Sequence, residues 1–417
     1  MSAPVFAPNG TTAHPSSYYA ASANPAPDRP SLKGDHQIDI CVVGAGYSGL
    51  STALHLAEKG YKVAIIEGAR VGWGASGRNG QDTANFVAGL VQEGGNIIRE
   101  RVKTYDIACD LKQGNIFTGL TAAHMRELEA RRALWASYGI NNQEMLDKAR
   151  LRDHIGSDVY EGGMIDHTGG HMHPLNLALG EAAAFEKLGG VIYEQSPVIH
   201  AGTEATKPVV KTASGSLTCN TLVLCGNAYL AHVVPALTAR VMPVSTQVMA
   251  TEPLGEAQAR ALLPTDTCVE DVRYILDYYR LSADNRLLFG GGTVYGGTDP
   301  SDIVAKLRPA MEKVFPQLKG VKTDFAWSGN FALSFSRVPQ MGRLGSNTYF
   351  AHGYSGHGVT GSHTFGRILA EAVDGDKTRF DVFADVPWYP FPGGRMFRVP
   401  YSMVGSWYYA LRDRLGV

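Results

Sequence analysis

Three closely spaced glycines and a later acid are the residues whose types and spacing indicate chemistry most clearly. Gly44, Gly46 and Gly49 form the pattern G-x-G-x-x-G, and Glu67 follows the loop by about 20 residues. Such glycines allow a tight turn, close approach of the backbone to a pyrophosphate and close helix–strand packing, while the acid accepts hydrogen bonds from a ribose. The predicted cofactor-binding residues of this unit are Gly44, Gly46, Tyr47, Ser48, Gly49, Glu67 and Gly68.

The segments around these residues predict the elements that must position them. Residues 38–43 are apolar and β-branched, as in a buried parallel strand. Residues 48–59 have an apolar face at helical spacing, so the start of this helix can meet phosphates. Residues 61–66 form the second predicted strand. Strand, glycine loop, helix, strand and acid in this order predict a nucleotide-binding β–α–β unit.

A Gly- and Ser-rich loop at residues 70–80, RVGWGASGRNG, bears on which dinucleotide binds. A nicotinamide enzyme would continue with regular β–α alternation here, whereas a long loop that follows a second part of the cofactor favours FAD. Its glycines allow backbone N–H groups to approach phosphate or flavin edges. The alternative is a solvent loop with a glycine-rich turn. The predicted cofactor-binding residues of this loop are Arg70, Gly74, Ala75, Ser76, Arg78, Asn79 and Gly80.

A second strand–loop–helix pattern occurs far along the chain, where residues 353–361 read GYSGHGVTG. The N–H groups at a helix start favour negative charge, such as that of reduced flavin at its N1–C2=O edge. The alternative is a helix-capping turn. The predicted cofactor-binding residues of this loop are Gly353, Gly356, His357, Gly358, Val359 and Thr360, with Val198, Gly226 and Asn227 added from the middle of the chain.

Substrate residues are predicted from a run of phenols and a cation at residues 277–280, DYYR. Aromatic walls suit an amine, and an arginine suits a carboxylate. The alternative is an exposed sheet edge. Tyr279, Arg280 and His357 are therefore the candidates for catalytic or pocket roles. Residues 331–337 form either another pocket wall or ordinary core.

Composition limits the other functions. The 417 residues are 44% apolar and 18% charged, which indicates a globular protein long enough for two domains. The net charge of −1 gives no electrostatic case for nucleic acid or an anionic membrane. No run approaches the roughly 18 apolar residues of a membrane span, and no export signal is visible. Five cysteines without C-x-x-C spacing predict reduced, buried thiols in a cytoplasmic protein.

Residues 166–173, DHTGGHMH, place three histidines close together, which raises the alternative of a metal site. No acid or cysteine cluster lies at matching spacing, and His173 precedes a proline at a predicted helix start. The prediction is therefore packing or loop hydrogen bonding, without a metal. No G-x-S-x-G signature supports hydrolysis.

Longer runs of sequence carry a family resemblance. They are SSYYAASAN at 16–24, GLSTALHLAEKG at 49–60, GASGRNG at 74–80, GGHMHPLNLALGEA at 169–182, CVEDVRYILDYYRLSADNRLLFGGG at 268–292 and YSGHGVT at 354–360. With them the chain resembles the D-amino acid oxidase-like family of FAD enzymes over nearly its whole length. The resemblance implies noncovalent FAD, since no cysteine lies where related sarcosine oxidases attach their flavin.

The fold class that the resemblance implies is α/β, α+β overall, with a Rossmann-like FAD-binding domain of the glutathione reductase type and an inserted antiparallel sheet for substrate. The FAD-binding domain is then discontinuous. The expected divisions are a mobile N-terminal arm at 1–35, whose Tyr18 and Tyr19 could dock on the body, an FAD-binding domain at 36–90, 165–230 and 337–385, a helical segment at 91–164, a substrate domain at 231–336 and a tail at 386–417.

The matching runs are those of family members that act in putrescine breakdown. They imply an oxidoreductase acting on CH–NH2 donors, which oxidises the primary amine of gamma-glutamylputrescine, or of a related gamma-glutamylated polyamine, to an aldehyde. A hydride passes to flavin N5, and ammonia and hydrogen peroxide are released. The alternatives are another amine or amino-acid oxidase or dehydrogenase of this family with a non-oxygen acceptor, and a flavin-binding homologue with impaired turnover.

One departure from the family pattern follows Gly80. Family members continue GASGRNGGQ into a long segment before the next helix, whereas here residues 81–85, QDTAN, follow directly. A deletion or an omitted mobile segment would explain the difference. A deletion would weaken both FAD binding and turnover.

Overall fold

The computed structural model describes residues 12–78, 88–230 and 233–415. Its strands alternate with helices as far as residue 193, and beyond that most strands follow one another in runs of three or four. The strands are β1 (Gly34–Val43), β2 (Val63–Ile66), β3 (Lys112–Gly119), β4 (Gln143–Asp147), β5 (Gly162–His171), β6 (Val191–Tyr193), β7 (His200–Ala201), β8 (Val209–Lys211), β9 (Gly215–Leu224), β10 (Val241–Thr251), β11 (Cys268–Asp271), β12 (Tyr278–Leu281), β13 (Leu287–Tyr295), β14 (Thr323–Ser334), β15 (Gln340–Leu344) and β16 (Thr348–His352).

Helices cover the sheets and connect their strands. Short 3₁₀ turns occur at Ala75–Gly77, Asn227–Tyr229 and Pro316–Leu318. The α-helices are α1 (Tyr18–Ala21), α2 (Tyr47–Glu58), α3 (Ala88–Thr104), α4 (Ala122–Ser137), α5 (Lys148–Leu151), α6 (Pro174–Lys187), α7 (Pro235–Thr238), α8 (Glu256–Leu262), α9 (Ile303–Val314), α10 (Gly358–Val373), α11 (Thr378–Ala384) and α12 (Gly394–Leu415).

The first sheet has the strand order β15-β16-β9-β1-β2-β6, with β7 and β8 beside β9. Strands β6, β2, β1, β9 and β16 pair in parallel, so their carboxyl ends meet at one edge. Val42 lies between Ile65 and Val223 in this register. A ligand site is expected at this edge of a parallel sheet. Strands β8 and β9 form an antiparallel pair, with Val209 opposite Thr218.

The second sheet has the order β14-β10-β13-β12-β11-β3-β5-β4 and is antiparallel except for the pair β11 and β3. It confirms the inserted antiparallel sheet. The segment 91–164, predicted as helical, also contributes β3, β4 and the start of β5. In residues 112–119, KQGNIFTG, glycines and polar residues interrupt a short apolar run, so the sequence gives only a weak strand pattern. The stronger helical patterns on either side therefore led to the prediction of a helical segment.

The N-terminal segment packs on the body over residues 17–32, so the prediction of a mobile arm is wrong there; residues 1–11 lie outside the described part. Tyr19 is fully buried, and its hydroxyl accepts a hydrogen bond from Arg280 Nη2 at 3.0 Å. Arg29 pairs with Glu186 at 2.7 Å. Aromatic burial and a buried ion pair offset the entropy cost of ordering this polar segment.

A buried charged network joins helices α2, α3, α6 and α10. The Oε1 atom of Glu181 lies 2.8 Å from Arg101 Nη1 and 2.9 Å from His363 Nε2. Arg101 Nη2 lies 2.7 Å from His55 Nδ1. His363 Nδ1 carries a proton, because its partner, the Val359 carbonyl, can only accept. The network fixes α10 and therefore the loop that precedes it.

Candidate functional site

A cavity of about 390 Å³ lies where the carboxyl edge of the first sheet meets the second sheet. Both glycine loops open onto it, together with residues of the second sheet. The predicted cofactor-binding residues that line it are Gly44, Gly46, Tyr47, Ser48, Glu67, Gly68, Gly74, Ala75, Ser76, Val198, Gly226, Asn227, Gly356, His357 and Gly358.

The first glycine loop is shaped by close backbone contacts. Gly44 has φ +108°, which L side chains rarely adopt. A Cβ atom at Gly49 would lie 1.9 Å from the Gly44 carbonyl oxygen, so only hydrogen fits there. Helix α2 therefore begins directly against β1. Its first turn faces the cavity, and the Tyr47 N–H donates to Ser76 Oγ at 2.9 Å.

Glu67 follows β2 and lines the same cavity. Its Oε2 accepts from the Ala45 N–H at 2.7 Å, and its Oε1 accepts from the Ala69 N–H at 2.9 Å. Burial raises the pKa of Glu67, while these backbone donors act in the opposite direction. The two hydrogen bonds hold the carboxyl group beside the first glycine loop.

The second glycine loop connects β16 to α10. The Gly353 N–H donates to Asn227 Oδ1 at 3.0 Å, which ties the loop to the end of β9. His357 is the N-cap residue of α10 and lines the cavity. Burial, with help from the Arg337 charge, lowers the pKa of His357 to about 4, so its ring is neutral at physiological pH. Its buried Nδ1 has no hydrogen-bond partner among the described residues.

The second sheet supplies the opposite wall of the cavity. The hydroxyl group of Tyr278 on β12 lies 3.2 Å from Thr246 Oγ1 on β10. Tyr278 faces Gly290 across the strands, and a Cβ atom at Gly290 would lie 2.0 Å from the Tyr278 ring. The glycine thus makes room for the phenol. Tyr278 belongs to the run 277–280 that was predicted to contact substrate, whereas the wall residues that the sequence did not single out are Thr246, Leu276, Gly292 and Thr293.

An exposed rim is formed by Tyr274 and Arg337, which also line the cavity. Arg337 Nη2 donates to the Tyr274 hydroxyl at 3.0 Å. The turn that carries Tyr274 is held by Arg273, which pairs with Asp271 at 2.5 Å and with Asp277. This ion-paired turn positions a phenol and a cation at the entrance. The prediction of a wall from residues 331–337 gains support, since Phe331 also lines the cavity.

Two of the predicted catalytic residues lie away from the cavity. Tyr279 is 1% exposed, stacks on Phe289 and donates its hydroxyl to Tyr160 at 3.0 Å. Arg280 contacts Tyr19 and donates to the Leu281 carbonyl at 2.9 Å. Both assignments are therefore corrected to structural roles. All four residues of β12 are buried, so the strand does not alternate between polar and apolar side chains. The sequence therefore could not indicate that Tyr278, and not Tyr279, faces the cavity.

The two predicted arginine ligands are also not part of the lining. Arg70 Nη1 pairs with Asp28 at 2.6 Å and with Glu194 at 3.1 Å. Arg78 Nε donates to the Trp73 carbonyl at 2.9 Å, and its guanidinium lies over the Trp73 ring. Arg70 thus has two carboxylate partners, whereas Arg78 is held by backbone carbonyls and an aromatic ring. Gly49, Gly353, Val359 and Thr360 support the two loops from behind the lining, whereas Asn79 and Gly80 lie outside the described residues.

The three clustered histidines have separate roles. His167 is exposed, His171 Nε2 contacts the Asp266 carbonyl at 2.8 Å, and His173 Nδ1 accepts from the Asn176 N–H at the start of α6. Within the described ranges, no group of three or more His, Cys, Asp or Glu residues is placed to hold a metal. The five cysteines are buried and form no disulfide, as predicted for the thiols.

Missed lining residues include three aromatic ones. Trp73 and Tyr229 contact one another near the first loop, at 5.7 Å between ring centroids. The Tyr354 hydroxyl lies 2.8 Å from Ser48 Oγ and so connects the two glycine loops. Trp73 and Tyr354 sit inside the predicted loops, and aromatic residues between loop glycines were the available signal. Tyr229 had no such signal.

Two glycine loops that face one cavity at the carboxyl edge of a parallel sheet are the features of a dinucleotide-binding protein. A family model described as DAO, FAD dependent oxidoreductase, matches residues 39–372. The chain belongs to this family, and its cofactor is FAD.

The relatives of the chain agree with this assignment. It is 50% identical over 426 residues to gamma-glutamylputrescine oxidoreductase of Escherichia coli K12, covering 97% of this chain and 100% of that protein. It is 39% identical to the probable oxidoreductase OrdL of Haemophilus influenzae, covering 96% and 98%. The crystal structure of glycine oxidase from Geobacillus kaustophilus is similar in fold, with a TM-score of 0.75, 21% identity and coverage of 84% and 98%.

The aligned length bears on the predicted gap after Gly80. The alignment with the Escherichia coli relative spans 426 residues, more than the 417 of this chain. That relative therefore has residues without a counterpart in this chain. None of the described helices is both long enough and apolar enough to cross a bilayer.

Proposed function

We propose that this protein oxidises the primary amine of gamma-glutamylputrescine, or of a related gamma-glutamylated polyamine, to an aldehyde. The observation that carries the proposal is the 50% identity, over nearly the full length of both chains, to a relative named for that substrate. The balanced reaction takes amine, water and oxygen to aldehyde, ammonia and hydrogen peroxide. Oxygen is the electron acceptor in this proposal.

The residues of the cavity fit FAD. The start of α2 and the loop around Gly46 would hold the pyrophosphate, because the first N–H groups of a helix lack intrahelical partners. Glu67 would hold the ribose. The start of α10 and the neutral His357 would face the flavin edge, where the orphaned Nδ1 atom gains a partner.

When bound, FAD supplies the hydride acceptor for the carbon that bears the amine, and the resulting imine hydrolyses. The protein positions the amine and excludes water. Tyr278 and Phe331 provide an aromatic wall for the substrate chain. Arg337 provides a cation at the rim for the carboxylate of the gamma-glutamyl group. No side-chain base is assigned, since hydride transfer from a neutral amine does not require one.

We expect gamma-glutamylputrescine to bleach the visible absorbance of the FAD-loaded protein when oxygen is excluded. Readmission of oxygen should restore the absorbance and yield one hydrogen peroxide per aldehyde. Stopped-flow absorbance and a peroxide assay measure the two steps. Putrescine without the glutamyl group serves as the control and should react more slowly.

Three results would contradict the proposal in different ways. Bleaching without reoxidation by oxygen would indicate another acceptor. Bleaching by amino acids but not by gamma-glutamylputrescine would indicate another oxidase of the family. A yellow protein that no amine bleaches would indicate FAD binding without turnover, as the shortened loop could cause.

We expect Arg337→Gln to raise KM for gamma-glutamylputrescine by about tenfold with little change in kcat. The reason is that a cation at the rim stabilises the bound substrate and the transition state equally. N-acetylputrescine, which lacks the carboxylate, should show no change. Steady-state kinetics with both substrates measure the effect. Arg343→Gln is the control, since Arg343 is exposed on β15 and does not line the cavity. Equal losses with both substrates would rule out carboxylate recognition.

A further inference from the structure

The C-terminal helix α12 turns an apolar face toward solvent. Residues 396, 397, 401, 403, 404 and 407 recur at spacings of three, four and seven and so lie on one side of the helix. Their exposures range from 41% to 79%, which is unusual for large apolar side chains in one group. The residues of this exposed face are Met396, Phe397, Tyr401, Met403, Val404 and Trp407.

The opposite side of α12 fixes the helix to the body. Arg398 Nη1 donates to the Thr238 carbonyl at 3.1 Å and to the Val241 carbonyl at 2.8 Å. Val399 packs on the cluster that contains Phe391 and Leu333. The exposed face is therefore held in a set orientation rather than being free to turn inward.

The exposed face lies near the rim of the cavity. Phe391, just before α12, contacts Phe335 with 5.8 Å between ring centroids. Phe335 is two residues before the rim cation Arg337 in the same turn. A partner seated on α12 would thus lie beside the entrance for substrate.

The charge of α12 differs from that of the whole chain. The helix sequence contains four arginines and one aspartate, whereas the protein has a net charge of −1. The net charge of the whole chain averages this basic segment with the rest of the sequence. It therefore gave no electrostatic case for an anionic membrane, although α12 itself is basic. Trp, Phe and Tyr on one face of an arginine-rich helix are the composition of helices that lie in a membrane interface.

A second copy of the chain fits this face less well than a lipid surface. A stable protein interface of standard size buries about 800 Å² per partner and uses roughly 20–30 residues on each side. The exposed face of α12 offers one helical stripe of six large apolar residues. An interfacial helix needs only such a stripe, since the lipid supplies the rest of the surface.

We infer that α12 docks this protein onto the surface of an anionic lipid bilayer. The apolar stripe enters the boundary between headgroups and acyl chains, and the net positive charge of the helix sequence favours anionic headgroups. The helix lies in the plane of the surface and does not cross it, which agrees with its apolar content.

The test is cosedimentation of the full-length, FAD-loaded protein with vesicles. We expect binding to vesicles of phosphatidylcholine with phosphatidylglycerol, weaker binding to phosphatidylcholine alone, and a decrease with added salt. The double variant Phe397→Ser with Trp407→Ser should lower the bound fraction by about tenfold. Brominated lipids should quench the fluorescence of the unmodified protein and quench the variant less.

Leu134→Ser with Tyr138→Ser is the matched control, since both are exposed large side chains, one on α4 and the other at its C-cap. It should bind vesicles like the unmodified protein. Circular dichroism and the flavin absorbance verify that both variants are folded. Absence of binding to anionic vesicles, or equal binding by the α12 variant, would overturn the inference. A dimer in sedimentation equilibrium that the α12 variant abolishes would overturn it in favour of a second copy.

Discussion

Gly49→Ala is expected to yield a folded protein that no longer retains FAD. The added methyl group would lie 1.9 Å from the Gly44 carbonyl oxygen and 3.3 Å from Val42 Cγ1. The Gly44 oxygen is a backbone atom, so the clash can be relieved only by moving α2 away from β1. That movement carries the first N–H groups of α2 away from the pyrophosphate that they would hold.

The expected loss of FAD affinity is at least about a hundredfold, equivalent to about 3 kcal/mol. The free energy of unfolding of the apoprotein should fall by about 1–3 kcal/mol, as for other overpacked sites. Flavin fluorescence titration and urea unfolding measure the two quantities.

Gly202→Ala is the control for Gly49→Ala, because a Cβ atom there would lie at an ordinary 3.5 Å from its nearest neighbour, Val209 N. It should leave FAD affinity unchanged. Retention of FAD by Gly49→Ala with normal affinity would show that the first glycine loop does not hold the cofactor.

Glu181→Gln is expected to destabilise the protein strongly although it is isosteric. It leaves Arg101 buried without its carboxylate partner, although the side-chain shape is kept. Removing one member of a buried ion pair costs about 3–5 kcal/mol, since the remaining charge is uncompensated. Urea unfolding at neutral pH should show a loss of this size.

The pH dependence of stability provides a second readout. Burial acts to raise the pKa of Glu181, but the charges of His363 and Arg101 prevail and lower it to about 2 from the ordinary 4.5. A lowered folded-state pKa gives stability that is present above pH 4.5 and is lost as the pH falls toward 2. The unmodified protein should lose stability over this range more steeply than Glu181→Gln.

Glu127→Gln is the matched control, because Glu127 forms an exposed i,i+4 pair with Arg131 on α4. Its effect should be below about 1 kcal/mol. Equal effects of the two substitutions, or an unchanged acid slope in Glu181→Gln, would contradict a stabilising role for the buried network.

Much of the cavity was predictable because its residues belong to local backbone motifs. Glycine spacing reports directly on tight turns and helix starts, so the positions around Gly44 and Gly356 could be identified without knowing the sheet order. Ser48 and Tyr354 meet in space only because β1 and β16 lie in one sheet. Their pairing was not accessible from the sequence.

The side chains of the opposite wall could not be assigned for two physical reasons. β12 is buried on both faces, so Tyr278 and Tyr279 are equivalent in pattern although one lines the cavity and the other the core. Arg70 was predicted to hold the cofactor, yet its Nη1 atom pairs at 3.1 Å with Glu194, far along the chain. Charges choose partners by tertiary proximity, which spacing does not reveal.

The long-range strand pairing in the parallel sheet affects how the protein folds during its synthesis on the ribosome. Ser48 and Tyr354, which touch at 2.8 Å, are 306 residues apart in the chain. The strand β1 and its loop emerge early, but β16 and α10 must be translated before the second glycine loop exists. Pairings of such long range form slowly, and partly folded chains expose apolar surface meanwhile. We therefore expect the nascent chain to depend on chaperones until FAD can enter a completed cavity.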